Sequence, residues 1–285
     1  MFAALECFGV NVTRLTALVF LCLIGCTGSH GEPVKMPRKG SSVLDVPPAA
    51  AERQASGADA AIRSAVDAPD RSPEDRALDA GRKPAELLSF FGIAPGMRVA
   101  EIAAGGGYTA ELLARLVGPS GKVYGVNSEF ILNRFARGPW EERLQKPVMT
   151  NVVRLDRNFD DPLPADVTNL DAVLCVLFYH DLFWMNVDRA QMNAAVYRAL
   201  KPGGVYAIID HSARAGSGAS DVQTFHRVEE QVVQGEITRA GFELVQSASI
   251  LKNPNDTRDW NANPRSSGDK RGTSDRFVLK FVKPG

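Results

Sequence analysis

Cysteine is scarce and poorly placed for structural use. The chain has four in 285 residues, Cys7, Cys22, Cys26 and Cys175, and three of them fall in the first 26 positions. Neither a disulfide framework nor a zinc-ligand spacing can be built from them. Cys175, alone inside an apolar run, reads as a small buried hydrophobe. Charge of one sign is missing too: 33 Lys plus Arg stand against 33 Asp plus Glu, for a formal net charge of zero. That balance offers no field for nucleic acid or an anionic surface, so a polyanion partner is disfavoured. What is present is a core: 45% of residues are hydrophobic, enough for one large or two small domains at this length.

The apolar stretch Leu15 to Gly25 follows Arg14, is too short to span a bilayer comfortably and ends in small residues, so it reads as an export signal. Its last four positions, Leu23-Ile24-Gly25-Cys26, resemble the lipobox of bacterial lipoproteins. That resemblance implies a signal over residues 1–26, lipid on Cys26 and a periplasmic, membrane-anchored protein. An uncleaved anchor and a misassigned start codon are the alternatives. Residues 27–71, rich in Ala, Ser, Gly and Pro without helical or strand period, read as a disordered tether. A short helix over Ala49 to Val66 is expected within it, with an apolar face too thin to need a partner. The folded domain is expected over residues 72–285.

The domain is organised around Arg98-Val-Ala-Glu-Ile-Ala-Ala-Gly-Gly-Gly-Tyr108, an apolar run closed by an acid and then by three glycines. This predicts strand, tight turn and helix, with Leu112, Leu113, Leu116 and Val117 on one helical face. The turn then lies ahead of the unpaired N–H groups of a helix N-terminus. Upstream, Ser72-Pro73-Glu74-Asp75 carries the marks of a helix start, and Lys83 to Gly92 predicts a second helix closed by glycine. Downstream, Lys122–Asn127, Val152–Leu155, Asp171–Leu177 and Gly204–Asp210 are apolar runs of strand length between helical segments, which implies a parallel sheet covered on both faces. Phe242–Ser249 and Arg276–Val282 follow as a final strand pair, separated by a long polar loop, Asn253 to Ser274, expected to be mobile or functional.

Glu101-Ile-Ala103-Ala-Gly105-Gly106-Gly107 resembles the first motif of class I S-adenosylmethionine-dependent methyltransferases, acid-x-Gly-x-Gly-x-Gly, with Ala103 in place of one glycine. Leu200-Lys-Pro-Gly-Gly204 is similar to the loop before the fifth strand of that family. Asp79 to Pro84, Asp210-His-Ser212, His226 to Glu230 and Ser274 to Phe277 are shared more narrowly with an exported bacterial group of predicted methyltransferases. The resemblance implies a Rossmann-like α/β fold: a seven-stranded, mostly parallel sheet with helices on both faces and an antiparallel C-terminal edge strand. It implies S-adenosylmethionine as cofactor and methyl transfer to a small molecule. Glu101, Ala103, Gly105, Gly107 and Tyr108 would hold the amino-acid part of the cofactor. Asn127 stands where the family has an acid for the ribose hydroxyls, with Glu129 as a substitute, and Asp156 matches the adenine position. Arg82 and Lys83 could meet a ligand carboxylate.

Ligands of an open α/β sheet lie outside the carboxyl ends of its strands. His180, Asp181 and His211 follow two predicted strands, and His226 sits in a predicted helical segment one turn from Glu230. Histidine near neutrality suits removal of a proton from the acceptor, with His180 or His211 as base. His180, His211, His226 and a carboxylate also invite a metal reading, but they form no recognised metal motif, and none is expected. Phe178, Tyr179, Phe183 and Trp184 either wall an acceptor pocket or belong to the core. A non-catalytic binding protein that keeps the fold is the competing reading.

Overall fold

The computed structural model describes residues 48–285, with side chains from residue 57 onward. The signal, the lipobox and the first part of the tether lie outside the described residues. Within them, no helix is long and apolar enough to cross a membrane.

The chain begins with α1 (Pro48–Val66), α2 (Pro73–Arg82) and α3 (Pro84–Phe91). Ser72 caps α2 by accepting from the Asp75 amide at 3.2 Å, and α3 closes at Gly92 with φ 73°. Then follow β1 (Arg98–Ile102), α4 (Tyr108–Val117), β2 (Lys122–Asn127), α5 (Glu129–Ile131), a π-helical stretch Leu132–Ala136, α6 (Arg137–Leu144), β3 (Val152–Asp156) and β4 (Leu170–Val176). The second half holds α7 (Asp181–Trp184), α8 (Arg189–Ala199), β5 (Leu200–His211), α9 (Val222–Phe225), α10 (Glu230–Arg239), β6 (Glu243–Ala248) and β7 (Arg276–Val282). The sheet order is β3-β2-β1-β4-β5-β7-β6. β3, β2, β1, β4 and β5 pair in parallel, and β7 runs antiparallel to both β5 and β6. The antiparallel C-terminal strand therefore sits one place inside the sheet, and β6 takes the edge.

Helices cover both faces, which is why the central strands read as unbroken apolar runs. On one face Ile102, Val173 and Cys175 pack with Met192, Val196, Val233 and Ile237 of α8 and α10. On the other, Val99, Leu174 and Ala207 pack with α3 and α4 through Leu88, Phe91, Leu112 and Leu113. Cys175 is fully buried, as expected.

The tether assignment needs correction at its C-terminal end. α1 packs against α3 and α4, and its Ile62 and Ala65 are buried. Alanines allow close backbone approach, so a stripe with one large apolar residue still docks, and a hydrophobicity pattern underrates it.

The sheet order reverses between β1 and β4. The chain ends leaving these two strands diverge there and open a crevice at their carboxyl ends.

Candidate active site

One side of the crevice is built by the glycine turn. Ala103 leaves β1 with φ 58°, a left-handed conformation that costs a residue with a Cβ about 1 kcal/mol, and Gly105 follows at φ 56°. A Cβ at Gly105 would meet nothing within 4 Å, so this glycine faces open space. Gly107 differs: at φ 86° it lies beneath Trp140, whose ring a Cβ would approach to 2.5 Å. Its missing side chain serves packing against Trp140 and Arg143, not a ligand. Arg143 braces the turn from behind, donating to the Gly106 carbonyl at 2.6 Å while paired with Asp75 at 2.5 Å and with Glu111.

Asn127 takes a role the family pattern did not suggest. Its Oδ1 accepts from the Gly105 amide at 2.8 Å and its Nδ2 donates to the Gly105 carbonyl at 3.1 Å. This clamp needs one acceptor and one donor on the same group, which a carboxamide has and a carboxylate lacks. Fully buried, Asn127 does not line the crevice, and neither does Asp156, which pairs with Arg154 at 2.7 Å on the β3 side. Glu129 is also directed elsewhere, to Arg137 at 2.6 Å, and Lys83 donates to the Ile250 carbonyl. Of the cofactor residues expected, Glu101, Ala103, Gly105 and Tyr108 line the crevice.

The crevice encloses about 330 Å³, within the range of small-molecule sites. At its floor the Glu101 carboxyl is buried, and its Oε2 has no hydrogen-bond partner among the described residues. Burial pushes this carboxyl up to about 8, against the opposing pull of Thr109 and Arg82. Arg82 lies 4.3 Å over the Tyr108 ring and forms no ion pair among the described residues. The Tyr108 hydroxyl is held by Asp79 at 2.6 Å, and Asp79 in turn receives both arms of Arg71. α2 thus leans over the crevice and carries Arg82 with it.

The opposite side gathers the histidines. Leu177, with φ 55°, turns the chain out of β4, and the buried Asp210 carboxylate at the end of β5 catches it. Asp210 accepts from the His180 amide at 2.7 Å and from His180 Nδ1 at 2.6 Å. It also accepts from the His211 amide at 2.7 Å. Burial opposes a charge on His180, yet Asp210 and Asp181 outweigh it and raise the imidazole to about 10. An imidazole that already holds its second proton at neutral pH is a poor proton acceptor, which leaves His211 the better of the two base candidates. His211, whose Nδ1 lies 2.7 Å from Ser274 Oγ, is kept neutral by burial and by the neighbouring charges of His180, Arg276 and Arg227.

His226 is not in a helix with Glu230. It ends α9 at φ 52°, while Glu230 opens α10. A parallel bridge between Ser212 and Val228 brings it in, with the Val228 amide donating to the His211 carbonyl at 3.1 Å. His226 Nδ1 stands 3.0 Å from Asp181 Oδ1 and 3.3 Å from His180 Nε2. The metal reading is thereby revised in membership: three ligating side chains converge, His180, Asp181 and His226, and His211 turns to Ser274 instead.

The aromatic cluster divides. Phe178 lines the crevice against Phe159, whereas Tyr179 is core, bonded to Glu236 and Asn193. Phe183 lies under Arg189, and Trp184 donates to Asp181 at 2.7 Å. The long polar loop is tied to the domain by the buried Arg227–Asp256 pair at 2.9 Å and by Arg258–Asp275 at 2.8 Å, and it lends Asn263 and Pro264 to the crevice. Asp210 and Arg143 were missed by the sequence reading. An acid at a strand end immediately before a histidine was a usable signal for Asp210; Arg143 left none.

Sheet order, glycine turn and crevice define the fold of class I S-adenosylmethionine-dependent methyltransferases. A family model described as protein-L-isoaspartate(D-aspartate) O-methyltransferase matches residues 66–153, the segment that carries the glycine turn. Among solved structures the chain resembles a SAM-dependent methyltransferase from Aquifex aeolicus, at 20% identity and a TM-score of 0.53, over 79% of this chain and 98% of that one. It also resembles an arsenic(III) S-adenosylmethionine methyltransferase from Chlamydomonas reinhardtii, at 18% identity and a TM-score of 0.50, over 79% of this chain and 73% of that one. At these identities the structural likeness establishes the fold, and together with the family-model match it supports a methyltransferase with S-adenosylmethionine as cofactor.

Proposed function

We propose that the protein transfers a methyl group from S-adenosylmethionine to a small molecule within this crevice. One observation carries the reading: a single cavity is lined at one end by the glycine turn and at the other by the histidine cluster. The cofactor end fits the group. Gly105 leaves open space for it, the unpartnered Oε2 of Glu101 suits its ammonium, and the Arg82 guanidinium suits its carboxylate. When bound, S-adenosylmethionine supplies an electrophilic methyl on a sulfonium.

The chain's own residues hold and orient the acceptor. Phe178, Asn263 and Pro264 narrow the crevice and displace water, and positioning of this kind supplies most of the rate in such a transfer. His211, neutral and at the junction with an adjoining cavity lined by Arg271 and Arg276, is the proton acceptor. An imidazole of low basicity suits an acceptor group that is already acidified.

Titration of the protein with S-adenosylmethionine and S-adenosylhomocysteine tests this, followed by incubation of S-adenosyl[methyl-³H]methionine with a small-molecule extract. Binding of both, with label transfer that His211→Ala abolishes while leaving cofactor affinity nearly unchanged, is expected. Absence of binding at millimolar ligand rejects the enzyme and favours a binding protein that keeps the fold.

We further propose export, with lipid on Cys26 as the membrane anchor, supported by the lipobox-like Leu23-Ile-Gly-Cys26. Replacement of Cys26 by Ala should release the protein from the membrane fraction; retention there argues for an uncleaved anchor.

A further inference from the structure

The three side chains that converge at the acceptor end present a problem of lone pairs. His180 directs Nδ1 at the Asp210 carboxylate at 2.6 Å, an arrangement that keeps one ring proton on Nδ1 and leaves Nε2 to hold either a second proton or, once that proton is displaced, a metal ion. That Nε2 faces Asp181 Oδ1 at 3.2 Å and His226 Nδ1 at 3.3 Å, and the last two are 3.0 Å apart. Three Lewis-basic atoms thus form a triangle with sides of 3.0 to 3.3 Å, on the wall of an open crevice. Something positive belongs at its centre, either a proton or a metal ion.

We propose that His180 Nε2, His226 Nδ1 and an Asp181 carboxylate oxygen bind one divalent transition-metal ion on the crevice wall. An ion about 2.1 Å from each atom would subtend angles of roughly 90 to 105°, between octahedral and tetrahedral values. Two imidazoles and one carboxylate suit zinc, iron or cobalt in the divalent state and disfavour calcium and magnesium, which prefer all-oxygen sets.

The surroundings supply the support that metal-bound histidines and carboxylates ordinarily have. Asp210, with no exposed surface, fixes the tautomer of His180, and Trp184 Nε1 donates to Asp181 Oδ1 at 2.7 Å. Three ligands come from two separate loops, after β4 and after α9, and the Ser212–Val228 bridge sets their distance. Because only three positions come from the protein, at least one remains for an oxygen or nitrogen donor entering through the crevice. Resting on the methyltransferase reading, this makes the preferred acceptor one that coordinates through a hydroxyl, carboxylate or amine and is acidified there.

The test uses the full chain, stripped with a chelator and titrated with Co²⁺. The expected result is a visible d–d absorption that saturates at one equivalent and is displaced by Zn²⁺. His226→Ala and Asp181→Asn should each weaken cobalt binding at least about tenfold, whereas His211→Ala, outside the triangle, should keep the full equivalent. Circular dichroism establishes that each variant is folded; Asp181→Asn, close to isosteric, serves if His226→Ala is not. No absorption at one equivalent, or an absorption that survives both ligand substitutions, overturns the proposal and leaves a protonated His180 as the centre of the cluster. Titration of the same stripped protein with S-adenosylmethionine separates the two readings: cofactor binding without cobalt binding removes the metal alone, and cobalt binding without cofactor binding removes the methyltransferase alone.

Discussion

The two ends of the crevice are made in opposite ways. The cofactor end is local: Glu101 to Tyr108 is one continuous stretch, and its braces, Asn127 and Arg143, act on the backbone of the turn. The histidine end is assembled from three separate chain segments, after β4, at the end of β5 and after α9, pinned by Asp210 and by the Ser212–Val228 bridge. The local end needs conformational freedom at a few positions, and the assembled end needs buried polar partners. The lesson is that they should fail separately when perturbed.

The largest separation is expected at Asp210. Asp210→Ala leaves the His180 amide, His180 Nδ1 and the His211 amide without an acceptor in a fully buried place. Loss of a buried charged partner of this kind costs about 3–5 kcal/mol, to be read as a fall in chemical-denaturation midpoint. S-adenosylmethionine affinity of the folded fraction should stay within about twofold, since no acceptor-side bond braces the glycine turn. A parallel collapse of cofactor affinity would mean the ends are one unit.

Within the cofactor end, the glycines divide the same way. Gly107→Ala drives a Cβ into Trp140 at a left-handed φ and should cost about 3 kcal/mol of stability. Gly105→Ala meets open space and should cost only about 1 kcal/mol, while reducing cofactor affinity by filling its seat. Thermal melts paired with binding titrations separate the two, and equal stability losses would contradict the division.

Asn127→Asp is the next smaller effect. The carboxylate would face the Gly105 carbonyl with no proton to donate, a loss of about 1–3 kcal/mol, and S-adenosylmethionine should bind more weakly. If the residue served the ribose hydroxyls, the same substitution would strengthen binding.

The contrast also explains what was legible in the sequence. All seven strands and the turn were readable because apolar runs and glycines are local signals. Asn127 was misplaced because its position matched a ligand contact, while its partner, the Gly105 backbone, became visible only when β1 and β2 paired. α1 was underrated because burial of two residues against α3 and α4 depends on docking, not on period. The histidines were found as strand-end residues, but their pairing was not: Asp210 selects His180, Ser274 selects His211, and His226 arrives from a segment whose αL residue and bridge break the helix that spacing suggested.

In the proposed function, Glu101 receives the cofactor's positive charge. Its carboxyl, raised to about 8 from 4.5, binds a proton in the folded protein that the unfolded chain releases between those values. The ligand-free protein therefore loses stability as pH rises through that window, and a cation seated on the ionised carboxylate counteracts the loss. Calorimetric titration with S-adenosylmethionine at pH 7, in two buffers of different ionisation enthalpy, measures this directly. Close to one proton, about 0.9, should leave the wild-type protein on binding, and almost none should leave Glu101→Gln. Binding without proton release in the wild type, or with the same release in Glu101→Gln, would contradict it.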